Sequence, residues 1–102
     1  MDDDDELPAS PDEGETALVA QLGAHALLAI DVTLKSHNQR RWLKVARVVA
    51  EALKAGGFAV WNDSHVHLHV RRVIGLVDSG SLEAKGNLLR PRWSEVRLSE
   101  AR

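Results

Sequence analysis

The apolar residues of this chain change their period along its length, and the changes divide it into elements. Residues 1–15 hold few apolar side chains and include Pro8, Ser10, Pro11 and Gly14, which predicts a tail without regular structure. Thr16 stands where a helix cap belongs. From Ala17 to Ile30 alanine and leucine dominate, with Leu18, Leu22, His25 and Ala29 on one stripe and Val19, Ala26 and Ile30 beside it. Apolar residues over so much of the girth predict a helix 17–30 that is either well buried or part of an interface. Its end stays open, because Ile30, Val32 and Leu34 also alternate like a short strand.

After the polar break Lys35–Gln39, residues 40–57 carry the clearest helical period. Trp42, Val45, Ala46, Val49 and Leu53 share one face, and Arg40, Lys44, Arg47, Glu51 and Lys54 share the other. Gly56 and Gly57 stop that helix, and a loop from Phe58 to Asn62 leads to the capping residues Asp63 and Ser64. The stretch HVHLHV, residues 65–70, alternates as a strand would. Followed further, Val66, Val70, Val73 and Val77 are spaced four, three and four apart, and Gly80 closes the run. One helix over 64–78 accounts for cap, period and stop together. After Gly80 the period becomes two. Leu82 and Ala84 face Val96 and Leu98, with Glu83 and Lys85 opposite Glu95 and Arg97, so 81–86 and 92–98 are predicted to form an antiparallel hairpin with a protruding tip.

Helix, helix, turn, long helix, hairpin is the order of a winged helix-turn-helix domain of the α+β class. The pattern assigns residues 16–99 to that domain and 1–15 to an acidic, disordered tail. Its core would gather around Trp42, Val45, Val49, Val70, Val73 and Val77. Helix 64–78 takes the recognition position and residues 86–92 form the wing.

Charge sharpens this picture. The chain has 102 residues with 13 bases and 15 acids, and eight of those acids but no base lie in residues 1–15. The remaining body is therefore basic despite the net charge of −2. Such an arm either keeps the body soluble or competes with a polyanion for it. Without cysteine there is neither a disulfide framework nor a thiolate metal site. No apolar run reaches spanning length by this reading, so a cytoplasmic protein without membrane contact is expected. In a helix His65 and His69 share a face while His67 does not, and neither an adjacent glutamate nor a carboxylate cluster completes a metal site. Solvated histidines at the rim are the expectation, with no metal and no cofactor. Nor is there a nucleophile elbow, a phosphate loop or a carboxylate pair, so catalysis is not expected.

Two residue stretches resemble known sequences. VARVVAEAL followed by VRRVIGLVDSGSLEAKGNLLRPRWSEVRL, over about residues 40–98, is similar to a group of small bacterial proteins known only as a domain of unknown function. That resemblance implies a shared fold and no activity. LVDSGSLEAKG, residues 76–86, also resembles the helix-to-wing junction of winged-helix regulators. The connection 56–62 is longer than in the best-known versions, and the recognition helix is richer in histidine.

Two functions follow as expectations. Double-stranded DNA would be met by Arg71 and Arg72, bordered by His65 and His67, on the long helix, by Arg90 and Arg92 at the wing, and by Lys44 and Arg47 on the backbone. Alternatively, Leu68, Leu88, Leu89 and Trp93 would be exposed for a protein partner, with a homodimer through helix 17–30.

Overall fold

The computed structural model describes residues 6–58 and 62–99. It is an α+β fold of three helices and a small antiparallel sheet. Helix α1 spans Glu13–Ser36, α2 Val45–Ala55 and α3 Asp63–Asp78; strand β1 is Leu43–Lys44, β2 Leu82–Lys85 and β3 Glu95–Leu98, with a 3-10 turn at Pro91–Trp93. The expected two-stranded hairpin is corrected to a three-stranded sheet of order β1-β3-β2. Leu43 pairs with Val96 on one side of β3, and Leu82 with Leu98 on the other. The added strand comes from residues assigned by pattern to the second helix. Hydrogen bonds from Leu98 N–H to the Gln39 carbonyl (2.7 Å) and from Val45 N–H to the Ser94 carbonyl (3.0 Å) draw 39–44 into the sheet, so α2 begins at Val45 rather than residue 40.

Helix α1 is longer at both ends than its pattern suggested. Asp12, not Thr16, caps it, accepting from the Glu15 N–H at 2.9 Å. The alternation of Ile30, Val32 and Leu34 is helical: Ile30 and Leu34, one turn apart, are buried, while Val32 is exposed. The helix breaks its regular dihedrals once, at Gly23, whose φ of 83° suits glycine alone. The helix is also long and apolar enough to cross a bilayer by length and composition, which corrects the expectation that no such run exists. In the fold it packs along α3 instead, with Ile30 and Leu34 in the core.

Helix α3 runs through HVHLHV as expected. Asn62 caps it, accepting from the N–H groups of Ser64 (3.0 Å) and His65 (3.3 Å), while the His65 Nδ1 accepts the Asn62 N–H at 3.2 Å. This reciprocal pair satisfies donors that a helix start leaves unpaired. Asn62→Ala is expected to cost about 1 kcal/mol, read as a lower urea midpoint at unchanged slope.

The core sits between the helices and the inner face of the sheet. Val45, Val48, Val49, Leu53, Val70, Val73, Leu82 and Val96 are almost wholly buried in it. Trp42 was expected there and is not. It lies on the outer side, with the Lys85 ammonium 4.4 Å and the Arg97 guanidinium 4.5 Å from its ring centre, at cation–π distance. Arg97 also bonds Glu83 at 2.7 Å, the cross-strand pair that the alternation had suggested.

Candidate functional site: the face of the third helix and the segment that crosses it

The expected site residues do not form one open basic surface. Arg71 donates through Nε to the Glu15 carboxylate at 2.8 Å and through its terminal nitrogens to the carbonyls of Pro8 (2.7 Å) and Ala9 (3.4 Å). Arg72 grips Asp31 of α1 with two bonds, 2.9 and 2.7 Å, in the side-by-side geometry that suits a carboxylate. Those bonds raise Arg72 above its ordinary pKa, against a smaller downward push from burial. Leu68, expected to point outward, is 3% exposed, because the side of α3 that carries it faces the core. Both arginines of the recognition position thus serve as internal anchors.

Arg71 is held partly by residues assigned to a disordered tail, and that assignment is corrected for residues 6–15; residues 1–5 lie outside the described residues. Leu7 is buried and its N–H bonds the Leu89 carbonyl at 2.8 Å. From there the chain crosses α3 at Arg71 and enters α1 at Asp12. Residues 6–12 form a strap from the wing, over α3, to the first helix. The boundary expected at residue 15 falls inside α1, at a Glu15 only 2% exposed.

The other expected site residues spread around the molecule. His67 and Arg92 line a cleft beside Leu7, Val49 and Pro91, so strap, wing and α3 meet there. Arg90 is half-buried in the wing, and Arg92 is exposed. Lys44 is exposed on β1, and Arg47 pairs with Glu51 along α2 at 3.3 Å. Leu88 and Leu89, expected to be open, are half-buried against the core; Trp93 is exposed as expected. His65 serves as part of the α3 cap. Among the described residues no group of three or more His, Asp or Glu side chains gathers as a metal site would need.

No family model, curated protein or solved structure matches this chain.

His69 departs most from expectation: the solvated rim histidine is 1% exposed. Its Nδ1–H donates to the His65 carbonyl at 2.9 Å, since a carbonyl only accepts. Burial pushes its pKa below the ordinary 6.5; the bond to His65 acts upward, and the charge of His65 adds a further downward push. The unfolded chain therefore takes up this proton at a higher pH than the folded one. The stabilising contribution is fully present above about pH 6.5 and is lost as pH falls through the lowered folded value. Urea midpoints should decline below about pH 6.5, and His69→Phe should flatten that decline. An undiminished decline in the variant would place the effect elsewhere.

The residues that build this face carried weak signals. Asp31 is the only acid between residues 16 and 50, in an otherwise apolar helix, and so was the most legible partner for a buried arginine. Glu15 and Leu7 sat within a run of acids and prolines, where nothing in the local pattern separates an anchor from a tail.

Proposed function

We propose that this chain is a non-catalytic binding module of winged-helix type that acts as a homodimer through the outer face of α1. The winged-helix reading rests on element order: α1, β1, α2, α3, β2, β3, with β3 central in the sheet and residues 86–94 connecting the last two strands. The observation that carries the function is the outer side of α1. Gly23 kinks α1, and beyond it the exposed positions Ala24, Leu28, Val32 and Lys35 recur four, four and three apart on one face, with Leu28 and Val32 61% and 64% exposed. Two large aliphatic groups one turn apart on a helix that buries little of its length leave contiguous apolar area for a partner to cover.

A second copy fits that surface by symmetry. A two-fold contact is self-complementary, so antiparallel copies of the segment after the Gly23 kink, centred on Leu28, set Ala24 against Val32 on either side of the axis. A small residue thus meets a large one, and the two Leu28 side chains meet at the centre. Sedimentation velocity should find a reversible dimer in the wild type and a monomer in Leu28→Glu, with the helical signature unchanged. A wild type that remains monomeric up to millimolar concentration contradicts the reading.

The strap favours a second reading, in which the wing and α3 bind duplex DNA once the segment is released. Glu6 lies 3.5 Å from Asn87 of the wing, and Glu15 holds Arg71, so carboxylates stand where phosphates would. Leu7→Asp in the full chain removes the strap's apolar anchor. Under this reading it binds a random duplex that the wild type does not, and the binding weakens by orders of magnitude between about 50 and 200 mM salt. Equal, absent binding by both proteins overturns it.

A further inference from the structure

We propose that the cavity between the three helices at His69 is a binding site for a small hydroxylated aromatic molecule of the phenol class. The cavity has a volume of about 210 Å³. Ala26, Ala29, Ile30 and Thr33 of α1 form one wall, and Ala52, Gly56 and Phe58 form the other, with His69 between them. Every wall residue apart from His69 and Thr33 is apolar.

The histidine supplies the polar point. Its Nδ1–H is bound to the backbone of its own helix, at the His65 carbonyl, so the remaining lone pair is on Nε2 at the far edge of the ring. Nε2 has no hydrogen-bond partner among the described residues, and the side chain is almost completely enclosed. Nε2 is not among the wholly enclosed unpaired atoms, so it keeps a narrow opening to solvent, and a molecule in the cavity that donates to it in place of water gains directional binding. Phe58 approaches the His69 ring edge-on, 5.6 Å between centroids at 83°, and holds it in place. An occupant must therefore donate one hydrogen bond and otherwise be apolar.

Volume narrows the class. A dry cavity of about 150 Å³ accepts benzene, so this space takes one aromatic ring with a hydroxyl and little more. A longer or charged molecule would have to leave part of itself outside or carry charge into an apolar wall. This site is separate from the α1 outer face and from the strap, and the proposal stands whether or not either reading above holds.

The test titrates full-length protein with phenol and, separately, with toluene, while side-chain histidine 15N resonances are followed by NMR. Phenol is expected to bind a few-fold to about tenfold more tightly than toluene, the affinity difference of one hydrogen bond. The His69 Nε2 resonance should move toward that of a hydrogen-bonded acceptor, with His65 and His67 little changed. His69→Phe should reduce phenol to the toluene level. Ala26→Leu, which fills the cavity and leaves His69 in place, should abolish the binding of both, and it serves alone if the phenylalanine variant does not fold. Equal affinity for phenol and toluene, no movement at His69, or undiminished binding by Ala26→Leu overturns the proposal.

Discussion

Arg71→Met is expected to destabilise the protein by about 3 kcal/mol, the lower end of what removing one member of a buried ion pair costs. The reason lies in what the substitution leaves behind. Glu15 is 2% exposed, and Arg71 supplies its 2.8 Å bond; without the guanidinium a carboxylate remains in an apolar setting. The same change frees the Pro8 and Ala9 carbonyls, so the strap loses its hold on α3. Replacing both partners with apolar groups of similar size, as in Glu15→Leu/Arg71→Met, should recover most of the loss, because no charge then stays buried. Urea unfolding of the two single variants and the double variant measures this directly. If the double variant is as unstable as Arg71→Met, the strap contacts, not the buried carboxylate, dominate.

Leu34→Ala is expected to cost a similar amount, about 3 kcal/mol, in the range seen for leucine truncation in packed cores. Leu34 is fully buried between α1 and the other helices, at a position where the sequence admitted a strand. For a domain of this size the loss corresponds to a fall in Tm of roughly 12–24 °C. Val32→Ala, two residues away and mostly exposed, should change the stability of the monomer by no more than about 0.5 kcal/mol. A strand at 30–34 would place Leu34 and Val32 on the same face and make their effects alike, so the contrast tests the extension of α1.

The order of helices and the two long strands were legible because each had several periods in which to express itself. The α3 reading held through HVHLHV, since Val73 and Val77 continue a helical spacing that six alternating residues cannot outweigh. Strand β1 was not legible: two residues have no period, and Trp42 and Leu43 fit a helical face as well as a strand. What separates them is a partner strand some 50 residues on, at Val96. The site fared worse for a related reason. Arg71 and Arg72 read as free cations because their acids, Glu15 and Asp31, lie 56 and 41 residues away, and no local pattern reports a long-range ion pair. Leu68 is buried because α1 packs against α3, and helix 17–30, taken alone, does not say which neighbour it will cover.

In the proposed dimer, α1 clasps α3 with its inner side and offers its outer side to a second copy. The chain has no cysteine, so single-cysteine variants report contacts without interference. Leu28→Cys places a thiol on the proposed two-fold axis, where closely packed antiparallel helices bring equivalent Cα atoms within the roughly 4.4–6.8 Å that a disulfide spans. Ala50→Cys, exposed on α2, serves as the control. Under mild oxidation of the folded protein, Leu28→Cys should form a disulfide-linked dimer rapidly and nearly completely, while Ala50→Cys stays monomeric. Equal, slow cross-linking of both variants would contradict the account.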